Sequence, residues 1–414
     1  MKNSTFQNWG RDVSRRLVNA IGLATGVAAV TGVLAVGAAR QEASPRRQGS
    51  APKAAPAPKT PWGKPDLQGI WTDEYAVPLQ RPARFGNREF LTDAEVADLD
   101  RARASFPTFS VRSRPFGTEQ DVAGAYGDEF QSVRRTGRRT SLIVDPPDGR
   151  IPPLTPEAEK MNRQADEYRT ALLQAATVCK GGAKDVPNCA GVTYVGKTSP
   201  RRAEAPADYL FTAVNRADGP EDRGLGERCL AAILPNVNGF QRIVQSPESV
   251  SSFYDIGQGQ GRSRVIPITN APHVPPSIRQ WWGDSRGRWE GDTLVVDVTH
   301  FNAKRNFQGS RQNLHLIERW RRVDADTLEY VVTLEDPTTW TRPWTFKIEL
   351  QRQNAQENRI YYEPRCHEGN FAMPTMLLGA RMDDERFAKG RGPDPATRCY
   401  IVCLPAVAEP NPLR

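Results

Sequence analysis

From residue 239 onward the chain alternates apolar and polar residues with a period of two, and this pattern restricts the fold more than any other feature. Such alternation is typical of β-strands that have one buried face and one face in water. Turn-forming residues such as Glu290-Gly291-Asp292 separate several of the strands. Short strands in direct succession predict an antiparallel meander, most simply a closed barrel. The strand candidates are 239–246, 249–257, 262–269, 288–301, 313–323, 326–336, 344–353 and 358–365.

The segment before these strands, residues 62–236, is mixed and contains the predicted helices. Thr92 and Glu95 form a capping box that opens a short helix through about residue 104. Thr155, followed by proline at the first helical position, begins a longer helix that should end near residue 178. Short strands are expected at 67–72 and 141–144. We therefore expect a mainly β protein, with a smaller α-helical subregion over 62–236 and a barrel with a C-terminal extension over 237–414.

Residues 1–39 are typical of an export signal. Ser14-Arg15-Arg16-Leu17 matches the twin-arginine pattern, and no charged residue follows until Arg40. The apolar stretch is only moderately hydrophobic, which favours a leader over a permanent membrane span. Small residues before Arg40 favour cleavage by a peptidase, and an uncleaved anchor is the alternative. We expect a periplasmic or secreted protein whose partners include the twin-arginine export machinery.

The net charge of +8 lies mainly outside the predicted folded body. The leader carries +3 and the Ala/Pro/Lys-rich linker at 40–61 carries +4, which leaves +1 for the remainder of the chain. Nucleic-acid binding needs basic residues gathered on one folded surface. We therefore expect no nucleic-acid partner, and no membrane contact beyond the leader.

Six cysteines in an exported chain favour structural disulfides over a metal site. Cys179 and Cys189 bracket a short loop, and Cys399 and Cys403 lie close together near the C-terminus. Cys229 and Cys366 would then form a long-range pair. The sequence alone does not choose among the possible connectivities.

Three stretches resemble a large family of exported bacterial proteins that has no established activity. They are residues 66–82, which begin DLQGIWT, residues 278–296, IRQWWGDSRGRWEGDTLVV, and residues 313–344, which end DPTTWTRPW. This resemblance covers most of residues 62–380 and implies little about chemistry. Gly69-x-Trp71 also resembles the first-strand signature of lipocalins, in which the tryptophan closes one end of a barrel that holds a ligand. That resemblance implies a barrel of the calycin or lipocalin type.

The strand candidate at 313–323 places a carboxylate among large apolar residues. Leu316, Glu318 and Trp320 alternate onto one face, whereas His315 points to the other. A carboxylate that faces a barrel interior must be ion-paired, hydrogen-bonded or raised in pKa. Glu318 is therefore either half of a buried ion pair with an arginine, or a general acid or base that works with His315 or His367.

His367 and Glu368 are adjacent and follow the last strand candidate, at the predicted barrel rim. A histidine beside a carboxylate can act there as a base or a ligand, and a polar turn next to Cys366 is the alternative. With His315 they resemble a set of two histidines and one carboxylate that binds a metal, but the spacing is not diagnostic. We expect no metal and no cofactor.

Aromatic and charged residues near the predicted barrel entrance form a candidate substrate-binding site. Adjacent tryptophans with an arginine and an aspartate suit the capture of a ring or a sugar. Tryptophans that plug the core beside an ion pair at the rim are the alternative. The candidates are Arg279, Trp281, Trp282, Asp284, Trp340 and Tyr361.

The sequence contains no nucleophile elbow, Walker loop, zinc-protease motif or dinucleotide fingerprint. The leading hypothesis is a cofactor-free enzyme of lyase, isomerase or hydrolase type that acts on a small apolar or aromatic-bearing molecule in the barrel. The first alternative is a periplasmic binding protein of lipocalin type for the same class of ligand. The second is a metal-dependent oxygenase or hydrolase.

Overall fold

The protein is mainly an antiparallel sheet that forms a nearly closed barrel of nine strands, which confirms the predicted fold class. The computed structural model describes residues 57–73, 75–104, 135–176, 179–181, 189–196, 219–220, 228–230, 234–237, 240–255, 261–353 and 371–392. The predicted leader and most of the linker lie outside these residues. None of the helices in the described part of the chain is long and apolar enough to cross a membrane.

The described residues form short strands before a continuous run of longer ones, and three α-helices. The strands are β1 (Gly69–Thr72), β2 (Tyr75–Ala76), β3 (Arg135–Thr136), β4 (Ile143–Asp145), β5 (Phe240–Gln245), β6 (Ser249–Asp255), β7 (Gly261–Pro267), β8 (Asp284–Glu290), β9 (Thr293–Thr299), β10 (His315–Arg322), β11 (Thr327–Glu335) and β12 (Trp344–Arg352). The helices are α1 (Asp93–Ala104), α2 (Pro156–Ala175) and α3 (Ala372–Ala388), with a 3-10 turn at Ala83–Phe85.

The barrel strands follow the order β7-β6-β5-β1-β12-β11-β10-β9-β8, and β4 pairs with β12 off this path. All neighbouring pairs along the path are antiparallel. Nine strands in a ring cannot alternate in direction throughout, so β7 and β8, at the two ends of the path, run parallel. The bridge between Ile268 and Gly287 is parallel, as this count requires. We call the boundary between β7 and β8 the seam, and residues 268–283 that connect them the crossover segment.

The period-two pattern has the burial that was predicted from it. On β11, Leu328, Tyr330, Val332 and Leu334 are all buried in the main core. Trp71 of β1 is also fully buried in the main core, and its indole Nε1 donates to the Leu67 carbonyl at 2.9 Å. The guanidinium of Arg322 lies over the Trp71 ring, 5.2 Å from its centroid.

The helix-start signals are confirmed by their hydrogen bonds. Before α1, the Glu95 amide donates to Thr92 Oγ1 at 3.2 Å and the Thr92 amide donates to Glu95 Oε2 at 2.8 Å. Thr155 caps α2 by accepting a hydrogen bond from the Ala158 amide at 3.2 Å. This helix ends at Ala175, a few residues before the predicted end.

Some element boundaries differ from the prediction. The range 288–301, predicted as one strand, is divided between the end of β8 and the whole of β9, which form a hairpin. The chain reverses at Gly291, which adopts a positive φ of +59°. Helix α3 was not predicted. The candidate strand at 358–365 lies outside the described residues.

The disulfide between Cys179 and Cys189 is present, as predicted. It packs with Leu173 and Ala176 in a small cluster beside the end of α2. Cys229 is also disulfide-bonded. The remaining predicted partners, Cys366, Cys399 and Cys403, lie outside the described residues.

Candidate ligand site in the barrel interior

A buried ion pair lies inside the barrel. Glu318 of β10 is fully buried, and its Oε2 lies 2.7 Å from Nη2 of Arg264 of β7, whose side chain is 3% exposed. The Tyr330 hydroxyl on β11 donates to Glu318 Oε1 at 2.6 Å. Arg264 also donates to the Ser285 hydroxyl at 2.9 and 3.1 Å. The sequence predicted either this pairing or a catalytic carboxylate, and the pairing is present.

Further aromatic and polar side chains from five strands and the crossover segment surround this pair. The rings of Tyr254 and Trp282 meet edge to face at 5.0 Å, and those of Trp320 and Tyr330 stack at 4.0 Å. Since β-strand side chains alternate between the two faces, each of these strands directs one or two polar groups inward. We call the set the interior cluster: Gln241, Ser252, Tyr254, Arg264, Trp282, Ser285, Glu318, Trp320 and Tyr330.

Apart from Glu318 Oε2, whose contact is the ion pair with Arg264, six atoms of the interior cluster are buried without a hydrogen-bonding partner. They are Gln241 Oε1, Ser252 Oγ, Tyr254 Oη, Arg264 Nη1, Trp282 Nε1 and Trp320 Nε1. Tyr254 lies near Arg264 and Ser252 but forms no aligned hydrogen bond to them. Buried polar groups in folded proteins nearly always have a partner. Several such atoms in one cluster therefore mark a place that suits a polar guest molecule or water.

The tyrosines of the interior cluster stay neutral over the physiological pH range. Burial raises the pKa of Tyr330 well above its ordinary value, and the charge of Glu318 raises it further. Burial also raises the pKa of Tyr254. For Arg264, burial lowers the pKa, but the charge of Glu318 and its hydrogen bond to the guanidinium raise it, and the net shift is upward. The guanidinium is therefore permanently charged and the phenols act as hydrogen-bonding groups.

His315 lies on the outer face of β10, away from Glu318. Its Nδ1 is 2.9 Å from Glu335 Oε2, and its Nε2 is 3.2 Å from Asp297 Oδ2. Asp297 also contacts Nε2 of His273, at 3.0 Å. His273 Nδ1 in turn lies 2.8 Å from Asp284 Oδ2. We call these five residues the outer carboxylate–histidine chain.

The outer carboxylate–histidine chain ties the crossover segment to the barrel wall. Asp284 accepts hydrogen bonds from the Val274 amide at 3.1 Å and from Arg286 Nη1 at 2.7 Å. His273 and Val274 belong to the crossover segment, whereas Asp297 belongs to β9. The outer carboxylate–histidine chain therefore links the crossover segment to residues of four strands, β8 to β11. The structure does not bring Glu318 and His315 together on a common substrate, because they lie on opposite faces of one strand.

The predicted entrance residues separate into different environments. Arg279 is exposed and donates to the Gln312 carbonyl at 2.9 Å, while Trp281 is half-buried against the main core. Trp282 belongs to the interior cluster, and Asp284 pairs with Arg286 and His273 rather than with Arg279. Trp340 is buried, and its ring meets the Trp344 ring edge to face, with the two centroids 5.4 Å apart. It is therefore part of the core, just before the first residue of β12.

The other predicted site residues, His367, Glu368 and Tyr361, lie outside the described residues. Two of the three proposed metal ligands are among them. Within the residues that the structure describes, no group of three or more histidines, cysteines, aspartates and glutamates is arranged to hold a metal ion.

Sequence reasoning missed Arg264, Tyr254, His273 and Asp297. The alternation in β7 places Arg264 on the same face as Ile266, which was the available signal for an inward arginine. That signal does not identify a partner, because β7 and β10 are distant in sequence and do not pair with each other in the sheet. No protein-family model matches the chain, and no curated protein matches it. Function is therefore inferred from the geometry of the site.

Proposed function

We propose that this chain is an exported protein that binds a small molecule within its barrel, at the interior cluster. The observation that carries the proposal is the group of six buried polar atoms without partners around the pair of Glu318 and Arg264. A guest that supplies hydrogen bonds to these atoms would remove the free-energy penalty of burying them. The resemblance of Gly69-x-Trp71 to the lipocalin signature, with Trp71 buried in the core of the barrel, supports the same function.

The chemistry of the unpartnered atoms indicates the class of ligand. Arg264 Nη1 and the two indole nitrogens can only donate, the two hydroxyls can donate or accept, and Gln241 Oε1 can only accept. Donors are therefore in excess, which favours a ligand that carries carbonyl or similar oxygens. The rings of Trp282, Tyr254 and Trp320 offer aromatic surface, which favours a planar or aromatic body.

Acid–base turnover, the leading hypothesis from the sequence, has less support. A general acid or base works best when its pKa lies near the ambient pH. The raised pKa values of Tyr254 and Tyr330 keep both phenols protonated, and Glu318 is engaged by Arg264 and Tyr330. The enzyme would be favoured over the binding protein if the unaltered protein converts a bound probe chemically and Glu318→Gln binds the probe but no longer converts it.

The test compares two probes of similar shape, acetophenone and ethylbenzene, of which only the first carries an oxygen. We expect saturable quenching of tryptophan fluorescence by acetophenone, with ethylbenzene at least ~10-fold weaker, because one unpaired hydrogen bond costs on the order of 1–3 kcal/mol. Tyr254→Phe and Trp320→Phe should weaken acetophenone binding. Trp62→Phe, at a partly exposed position outside the barrel interior, is the matched control. Equal affinity for both probes, or no saturable binding, contradicts the proposal.

Export is proposed on the twin-arginine pattern of the leader. Replacement of Arg15 and Arg16 by lysine should retain the protein in the cytoplasm, because the pathway reads the arginine pair. Fractionation of bacteria that express each form measures this. Unchanged export of the double-lysine variant would contradict the assignment.

A further inference from the structure

Arg305 is a buried guanidinium without a counter-charge. It lies in the loop between β9 and β10 and has no exposed surface. Its Nη2 donates to the Leu234 carbonyl, and the guanidinium lies over the Phe301 ring, 4.3 Å from the centroid. Its Nε and Nη1 have no hydrogen-bonding partner. Among the described residues no carboxylate lies within ion-pair distance of it.

An uncompensated buried charge is unfavourable, so it calls for an explanation. A carbonyl oxygen and one aromatic face offset only part of the lost hydration. Burial lowers the pKa of Arg305 to about 9, which is the direction expected for a cation that lacks a nearby anion. At neutral pH the side chain is still charged.

The loop holds Arg305 in place, so the charge cannot easily turn out to solvent. On one side, the Asn302 amide donates to the Gln280 carbonyl at 2.8 Å. On the other side, Phe307 and Ser310 exchange two backbone hydrogen bonds at 2.8 and 3.0 Å, and the Ser310 hydroxyl donates to Asp336 Oδ2 at 2.6 Å. Fixed donors of this kind are suited to binding, because little freedom is lost when a ligand arrives.

Two further donors without acceptors belong to tryptophans that are linked by ring contacts to the loop that carries Arg305. Trp340 Nε1 and Trp344 Nε1, at the same end of the barrel, are also buried without acceptors. The Trp344 ring stacks with Phe307, two residues after Arg305, at 6.4 Å. The buried carboxylate at this end, Asp336, accepts hydrogen bonds from Ser310, Thr338 and Thr339, so its acceptor capacity is already used.

We propose that Arg305 is the anchor of a buried oxyanion-binding site at the loop between β9 and β10. This site takes the carboxylate or phosphate group of a small molecule. The oxyanion would accept hydrogen bonds from Nε and Nη1 and would supply the missing negative charge. This site stands on residues other than the interior cluster, and it does not depend on the function proposed there.

The first experiment measures the melting temperature of the purified protein and, by isothermal titration calorimetry, its binding of sodium phosphate and of sodium acetate. Sodium chloride keeps the ionic strength constant. We expect a melting temperature that rises with one of the two anions, and saturable binding of one anion per chain. A response to phosphate assigns the site to phosphate groups, and a response to acetate assigns it to carboxylates. The absence of saturable binding of either anion overturns the proposal.

The variants locate the site. Arg305→Met keeps the length of the side chain and removes the charge, and we expect at least ~10-fold weaker anion binding. Arg319→Met removes an exposed arginine of β10 that pairs with Glu290, and it should bind the anion like the unaltered protein. If Arg305→Met does not fold, Arg305→Lys serves instead, since a lysine retains charge but loses the planar donor set. Equal anion affinity of the Arg305 variant and the Arg319 variant overturns the assignment.

Discussion

At the scale of single residues, the charge of Glu318 balances the buried charge of Arg264. Glu318→Gln leaves the guanidinium of Arg264 buried without a counter-charge, although the Tyr330 hydrogen bond can persist. Removal of one partner of a buried ion pair is strongly destabilising, by about 3–5 kcal/mol. We therefore expect the free energy of unfolding, measured by urea denaturation, to fall by about that amount.

The double variant Arg264→Met with Glu318→Leu separates charge from packing. Replacement of both charges by apolar groups of similar size is often neutral or stabilising, so the double variant should be more stable than Glu318→Gln alone. Glu290→Gln, whose arginine partners are exposed on the outer face, is the matched control and should unfold like the unaltered protein. A Glu318→Gln variant of unchanged stability would show that the pair is hydrated in solution.

The inward orientation of Glu318 was predictable from the sequence, but its environment was not. Alternation along β10 is a local property, so Leu316, Glu318 and Trp320 could be assigned to one face. The partner Arg264 belongs to β7, and these two strands meet across the interior rather than through hydrogen bonds of the sheet. Contacts of that kind depend on the closure and register of the whole barrel. For the same reason the link between His315 and His273 was not foreseen.

At the level of single elements, Gly283 fixes the start of β8. It has a φ of +68°, and a Cβ atom there would lie 2.6 Å from the Thr299 carbonyl oxygen, which is backbone and cannot easily move. Gly291, in the turn between β8 and β9, has a φ of +59° and open space around it. Gly291→Ala should therefore cost about 1–2 kcal/mol for the backbone conformation alone.

Gly283→Ala should be more destabilising than Gly291→Ala, because it adds a steric clash to the same backbone strain. Urea denaturation of the two variants measures the difference. Equal destabilisation would mean that the chain around Gly283 moves away from Thr299 at little cost, and that the junction of the crossover segment with β8 is not rigid.

The outer carboxylate–histidine chain should make the stability of the barrel depend on pH. The hydrogen bond to Asp297 is the main cause of the raised pKa of His315, and the same bond lowers the pKa of Asp297. A raised histidine pKa contributes stability that is present below the unfolded pKa, near 6.5, and is lost as the pH rises through the folded value. The Asp297 contribution is lost instead as the pH falls through its lowered folded pKa.

We therefore expect the urea midpoint to decline as the pH rises above about 6.5 and through the raised folded pKa of His315, and we expect His315→Gln to remove that decline. His300→Asn is the control, since burial lowers the pKa of His300 and its contribution has the opposite sign. A decline of the same size in the His315 variant would assign the alkaline loss of stability to other groups.

On the scale of the whole molecule, the strand count determines where the barrel is weakest. The nine described barrel strands require one parallel pair, and at the seam the described backbone contacts are the Ile268–Gly287 bridge and the hydrogen bond from the Thr269 amide to the Gly287 carbonyl, at 3.0 Å, both formed by residues that directly follow β7. In contrast, β11 pairs along its full length with both neighbours. The sequence predicted the meander but not this count, because β1 joins the barrel from far upstream.

Hydrogen exchange resolved to single residues tests the seam. In β7 and β8, every second amide points to the seam, and the amides between them bond to the antiparallel neighbour, β6 or β9. We therefore expect fast exchange at the amides that face the seam and slow exchange at the others. In β11, both sets of amides are bonded and should all exchange slowly, which makes this strand the internal control. Uniform protection along β7 and β8 would mean that the seam closes in solution through a ladder of hydrogen bonds. Rapid exchange throughout β7 would mean that its pairing with β6 also opens, and that the barrel opens from this edge.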